Sequence, residues 1–278
     1  MGQRSWFITG VNSGFGRHLS ELLLARGERV AGTVRRAGSV RDLQDRYGDR
    51  FWVAHLEVTD SVAVRDVVNR AFSDLGRIDV VINNAGYGLF GAVEELTDEQ
   101  IAHQLNTNLV GSIQVVKAAL PHLRAQGGGR ILQLSSYGGQ ASNPGASLYH
   151  ASKWGIEGFM ESTAKDVAPF GVGITIVEPG GARTEFRTSS SRLGANQLPA
   201  YDISPATLTR GIKDPALPPP TGDPVKMANA MIDSVDVDPP PLRLVLGSDA
   251  YGAIRQALTE RLAAVEAQRD LAATVGIA

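Results

Sequence analysis

The sequence predicts an α/β fold in which a doubly wound, mainly parallel sheet of seven strands carries helices on both faces. Three observations predict it. Short β-branched or apolar runs alternate with longer helical patterns through most of the 278 residues, the order that builds a parallel sheet with crossover helices. The first such run feeds directly into a glycine-rich turn, Thr9-Gly10-Val11-Asn12-Ser13-Gly14-Phe15-Gly16, and then into a helical pattern. Hydrophobic residues make up 43% and charged residues 20% of the chain, enough apolar material for a large core, and the length is compatible with one large domain spanning 1–278.

Taken in order, strands are expected at 5–9, 29–34, 51–56, 80–83, 130–135, 173–178 and 242–246, each a short apolar or β-branched run. Helical periodicity lies between them at 14–25, 39–47, 61–75, 99–120, 149–168 and 224–234, with a helical tail over about 249–278 whose clearest pattern runs to 268. Thr97 three residues before Gln100 forms a capping-box pattern, and Gly27, Gly76, Gly127 and Gly171 fall where helices are expected to end. The stretch 186–223 breaks the rhythm with a serine triplet, scattered glycines and Leu217-Pro218-Pro219-Pro220. A loop of that length is either a lid over a substrate or a dispensable insertion, and the lid is the favoured reading.

Composition excludes several classes of function. Lys plus Arg number 27 against 29 Asp plus Glu, a formal charge of -2, so nothing in the balance favours nucleic acid or an anionic membrane surface. The absence of cysteine excludes disulfides, thiol nucleophiles and thiolate metal sites, and suits a reducing compartment. No signal-peptide pattern opens the chain, and no window approaches the roughly 18 consecutive apolar residues of a membrane span. A cytoplasmic location is the expectation. The five histidines show no paired ligand spacing, so no metal site is expected.

The glycine-rich turn is the first chemical signal. Between a strand and a helix, Gly10, Gly14 and Gly16 let backbone approach a pyrophosphate, and the helix N-terminus presents free N–H groups and positive dipole to its charge. A purely structural turn is the alternative. The spacing is GxxxGxG, neither the GxGxxG of the common dinucleotide fingerprint nor a triphosphate loop. At the end of the second strand, where an acid would bind the ribose 2′-hydroxyl of NAD(H), stand Val34, Arg35 and Arg36. Guanidinium groups pair with a 2′-phosphate, so NADP(H) is favoured over NAD(H), unless these arginines merely open a solvated helix.

Tyr149 and Lys153 lie four residues apart in a helical pattern and so share a face. An ammonium beside a phenol favours the phenolate and brings the hydroxyl into range as a general acid or base. His150, about 100° round the helix, is expected at a pocket rim or on the surface. Trp154 and Phe159 are read as core or interface residues. Tyr87, Leu89, Phe90, Tyr137 and Phe186 follow the motif loops and form either an apolar wall for a bulky substrate or ordinary loop cores.

Together the TGVNSGFG run at 9–16, Asn83-Asn84-Ala85-Gly86 after the fourth strand, Tyr149-xxx-Lys153 and Pro179-Gly180 resemble the short-chain dehydrogenase/reductase family, in that family's order and over nearly the whole chain. The resemblance implies a Rossmann fold and a catalytic set of Asn108, Ser136, Tyr149 and Lys153. Ser136, thirteen residues before Tyr149, is carried over rather than Ser135, and Asn108, in Asn-Leu-Val-Gly, rather than Asn106. It implies a coenzyme site from Gly10, Asn12, Ser13, Gly14, Phe15, Gly16, Arg35, Arg36, Glu57, Val58, Asn84, Ala85, Gly86, Tyr149, Lys153, Pro179, Gly180 and Thr184. Glu57 stands where the family usually has an aspartate near the adenine. In the chemistry so implied, a carbonyl oxygen binds between Tyr149 and Ser136 and takes its proton from Tyr149, while hydride comes from NADPH. Lys153 binds the ribose hydroxyls, and Asn108 anchors a water that links Lys153 to solvent. A homodimer or homotetramer built on the fourth and fifth helices, 99–120 and 149–168, is also implied. A non-redox enzyme such as an epimerase or dehydratase, and a nucleotide-sensing regulator, are the alternatives on the same fold; the resemblance implies a GxxGxxG turn and a larger C-terminal domain for an epimerase, which this sequence lacks, and the Tyr149 and Lys153 pair stands against the regulator.

Overall fold

A computed structural model describes residues 2–276, so the final residues of the expected tail, 277 and 278, and the first residue of the expected domain lie outside the described residues. Nine strands and nine α-helices lie along them. Strands β1 (Ser5–Thr9), β2 (Arg29–Val34), β3 (Phe51–His55), β4 (Val80–Asn83), β6 (Gly129–Leu134), β7 (Val172–Pro179) and β9 (Arg243–Leu246) form one sheet in the order β3-β2-β1-β4-β6-β7-β9. Every pairing in it is parallel. This is the Rossmann arrangement the sequence predicts.

The strands form here because both faces are covered. All residues of β1, β4 and β7 are buried, which is why they read as apolar runs and not as alternating ones. Successive side chains still part to opposite faces. Phe7, Val81 and Ile176 enter the core under α3 (Ser61–Leu75), α5 (Gly111–Ala125) and α6 (Ser147–Val167), whereas Trp6, Ile8, Val80, Ile82 and Val177 enter the core under α1 (Gly14–Ala25), α2 (Arg41–Tyr47) and α7 (Pro224–Asp233). Between β1 and β4 the winding reverses direction, which opens a crevice beyond the carboxyl ends of the strands.

Three differences from the sequence reading matter for the site. The expected helix 99–120 is α4 (Asp98–Leu105), a π-helical turn at Asn106–Val110, and α5, which continues past Pro121 to Ala125. A widened turn is invisible to a 3.6-residue pattern. Between β4 and α4 a short strand β5 (Gly88–Phe90) pairs with β8 (Ser191–Leu193) in a second, two-stranded parallel sheet. The stretch 186–223 is therefore anchored and not a free loop. Two helical turns, Pro199–Tyr201 and Pro205–Gly211, follow β8, and Arg210 ties them down through Glu95 (2.5 Å) and Asp202 (2.6 Å). The chain closes with α8 (Ser248–Glu266) and the short α9 (Arg269–Thr274).

Candidate active site

The turn between β1 and α1 is built by glycines and braced from β4. Gly10 and Gly14 take positive φ (73° and 55°), which a side chain resists. A Cβ on Gly16 would strike the Gly10 carbonyl oxygen and lie 2.5 Å from Asn84 Nδ2. Asn84 donates from Nδ2 to the carbonyls of Thr9 (2.8 Å) and Gly10 (3.0 Å), and Thr9 Oγ1 accepts the N–H groups of Asn84 and Ala85 at 3.0 Å. No acidic side chain lies in the first turn of α1, and the Ser13 side chain does not cap it. The Gly14 N–H is met instead by the Glu185 carboxylate, at 3.1 Å.

A cleft of about 590 Å³ opens from this turn across the sheet ends. Of the residues expected to meet a coenzyme, Gly10, Asn12, Ser13, Gly14, Phe15, Arg35, Glu57, Val58, Asn84, Ala85, Gly86, Pro179, Gly180 and Thr184 line it, as do Ser136, Tyr149 and Lys153. Gly16 lies behind the turn, where the close approach to Gly10 needs it. Arg36 is exposed outside the cleft, one residue beyond Arg35. Dinucleotide chemistry fits this cradle: close-approach glycines, a helix N-terminus that Ser13 does not cap and that already draws the Glu185 carboxylate, and a guanidinium with no acid on the β2 end.

Away from the turn, Tyr149 lines the same cleft. Its ring forms a three-ring cluster with Phe90 (centroids 5.7 Å apart) and Phe186 (5.9 Å), which also touch each other, and burial pushes its hydroxyl up to about 12, against the opposing hydrogen bond of the Ser136 hydroxyl. The expected lowering of the phenol by Lys153 is therefore not what dominates; desolvation does. Lys153 Nζ lies 5.8 Å from the Tyr149 ring centroid and donates to the Leu134 carbonyl at 2.8 Å. Burial lowers the Lys153 ammonium to about 8, and Glu157 works against that shift.

Asn108 sits in the π-helical turn, behind the cleft wall. Its Nδ2 donates to the Tyr87 carbonyl (2.8 Å) and to Ser152 Oγ (3.2 Å), and its Oδ1 accepts the Tyr87 N–H (3.0 Å). It therefore holds the loop after Ala85-Gly86 against α6. Of the expected apolar wall, Tyr87, Phe90, Tyr137 and Phe186 line the cleft, while Leu89 points into the interior, being 1% exposed.

His150 lines the cleft, as the pocket-rim reading expects, and the surface alternative is corrected, for the side chain is buried. Its Nε2 accepts the Asn143 N–H (3.0 Å) and its Nδ1 meets the Gly138 carbonyl (2.8 Å), which fixes a neutral tautomer. Burial holds its pKa below the ordinary imidazole value, against the Gly138 carbonyl. Sequence reasoning also missed Glu185, the cleft-lining Thr209 and Ile212 from 186–223, and Glu157 behind Lys153. Only Glu157 had a local signal: it follows Lys153 by four residues on the same helix.

A family model described as short chain dehydrogenase matches residues 5–193. The chain belongs to the short-chain dehydrogenase family. Within it, an oxidoreductase, BOA17, of Botryotinia fuckeliana is 38% identical over 96% of this chain and 97% of its own. A 3-ketodihydrosphingosine reductase of Bacteroides thetaiotaomicron is 39% identical over 68% of this chain and 69% of its own. The crystal structure of a short-chain dehydrogenase from Streptomyces avermitilis superposes with a TM-score of 0.91 at 35% identity, covering 99% of both chains. This short-chain dehydrogenase is thus an oxidoreductase by family. Among its described residues no helix is long and apolar enough to cross a membrane, and no group of three or more His, Asp or Glu could hold a metal ion.

Proposed function

We propose that this short-chain dehydrogenase is an NADP(H)-dependent oxidoreductase that interconverts a bulky, apolar ketone or aldehyde with its alcohol. The observation that carries the reading is the part of the cleft where the Tyr149 hydroxyl meets the Ser136 hydroxyl beside Lys153 and against the rings of Phe90 and Phe186. Ser136 holds the substrate oxygen, and Tyr149 gives it a proton in reduction and takes it back in oxidation. When bound, the coenzyme supplies or accepts the hydride. Lys153 places positive charge beside Tyr149, and Phe90 and Phe186 keep water from the reacting oxygen. Arg35 on the cleft wall, with no acid at the end of β2, supports NADP(H) over NAD(H).

The substrate wall supports an apolar partner. Phe90, Ala146 and Tyr149 cluster with Phe186, Leu193 and Ile212, three of them from the 186–223 segment, which acts as a lid. A relative named for 3-ketodihydrosphingosine makes that compound a sensible first member of a carbonyl panel. A homo-oligomer is part of the same reading, with the half-buried Ile113, Leu120 and Phe159 of α5 and α6 as its contact.

The test is coenzyme binding and turnover together. NADPH quenches protein fluorescence at lower concentration than NADH, a bulky ketone is reduced, and Tyr149→Phe binds coenzyme while losing at least about a hundredfold in turnover. Tighter binding of NADH overturns the coenzyme preference. Coenzyme binding without turnover on carbonyl or alcohol panels overturns the reductase reading.

A further inference from the structure

Directly behind Lys153, four residues on along α6, lies a carboxylate that the reading above does not use. Glu157 is 2% exposed. Its Oε1 accepts the Ser135 hydroxyl at 2.5 Å, and its Oε2 accepts Gln140 Nε2 (2.9 Å) and Arg243 Nη1 (2.5 Å). Arg243, on β9, also reaches Glu178 of β7 (2.6 Å) and Glu161 of α6 (2.7 Å). Gln140 also donates to Glu178 (3.2 Å) and accepts Arg261 of α8 on its carbonyl (2.7 Å). The second oxygen of Glu178 meets no donor among the described residues.

These contacts join the segments that carry the site. Ser135 precedes Ser136, Glu178 precedes Pro179-Gly180, and Glu157 shares a helix with Tyr149 and Lys153. Lys153 and Glu157 grip adjacent residues of one strand end, the Leu134 carbonyl and the Ser135 hydroxyl. The turn after Ser136 is shaped to the carboxylate, since a Cβ on Gly139 would strike Glu157 Oε1. A buried ionic cluster is a poor way to stabilise a core, because apolar packing of the same volume does as well or better. Its charge also leans one way. Three carboxylates surround one guanidinium, Arg261 faces Gln140, and Lys153 is the next buried cation on α6.

We propose that Glu157 is a positioning residue of the hydride-transfer site: through Ser135 it fixes the strand end that carries Ser136 and holds Lys153, and it supplies the buried negative charge that balances Lys153. The proposal rests on the function proposed above. Burial raises the Glu157 carboxyl itself, helped by Glu178 and opposed by Ser135 and Arg243, so its negative charge is fullest on the alkaline side, where Lys153 is losing its proton. Replacing the carboxylate by an amide leaves burial to act on Lys153 unopposed. The ammonium is then lost at a lower pH.

The experiment follows NADPH binding by fluorescence, and turnover of an active ketone, from neutral to alkaline pH in wild type, Glu157→Gln and Ser135→Ala, with folding monitored by circular dichroism. In Glu157→Gln the alkaline midpoint of both coenzyme affinity and kcat falls by about one pH unit. In Ser135→Ala, which keeps the carboxylate, the midpoint moves less than in Glu157→Gln while kcat drops about tenfold at neutral pH. A wild-type midpoint in folded Glu157→Gln overturns the proposal and leaves the reductase reading standing. Should Glu157→Gln not fold, full wild-type kcat in Ser135→Ala overturns it instead. A wild type that binds neither NADPH nor NADH overturns the reading itself, and this proposal with it.

Discussion

Tyr149 and His150 are consecutive on α6 and both buried, yet only the first was legible as chemistry. The Tyr149-xxx-Lys153 spacing is a property of the helix itself, so sequence places both on one face. What covers the next face depends on the chain from Ser136 to Asn143, which folds back onto His150. The buried imidazole makes a pH prediction. Its folded-state pKa lies below the ordinary 6.5, so the stability it contributes is present above that value and is lost as pH falls through the lowered one. The physical cause is direct: a protonated ring cannot accept the Asn143 N–H. The thermal midpoint of the wild type falls as pH drops below 6.5, and His150→Gln removes that part of the acid dependence while lowering the neutral midpoint slightly. Parallel acid profiles in the two proteins would contradict this role.

Elements were read best where their signal was local. Strand β1, the glycine turn and α1 have the expected bounds, since a short apolar run, glycine spacing and helical periodicity are all written within a few residues. The same turn gives a second prediction. In Gly16→Ala the new Cβ meets the Gly10 carbonyl and the Asn84 side chain, so the turn must open; NADPH affinity falls at least about tenfold by fluorescence titration, with a lower thermal midpoint. Wild-type affinity would show that the turn yields without cost. The 186–223 segment was legible only as a break in rhythm. Its strand β8 is three residues long and gains its partner from β5, some hundred residues earlier, and no local pattern announces such a pairing. Arg210 fastens it to Glu95, which is 2% exposed. Arg210→Ala frees the segment, and limited proteolysis cuts within 186–223 at least about ten times faster while the sheet stays intact. An unchanged cleavage rate would assign the anchoring to β5 and β8 alone.

For the whole molecule, the groove between α5 and α6 leaves Phe159 half-buried beside Ile113 and Leu120, and the proposed oligomer covers it. By light scattering the wild type has the mass of a dimer or larger, and Phe159→Glu is a folded monomer. A monomeric wild type sinks the oligomer. The sequence by itself determined the strand and helix order, the phosphate-type turn and the Tyr149 and Lys153 pair, because each is encoded by residues within one or two turns of one another. Tertiary structure alone decided the neutral state of His150, the anchoring of 186–223 and the cluster around Glu157. Arg243 lies 86 residues from Glu157 and 65 from Glu178, and their meeting depends on β9 docking beside β7. Charge burial, and with it the proton affinities of Tyr149 and Lys153, comes into being only when the sheet and its helices have closed around them.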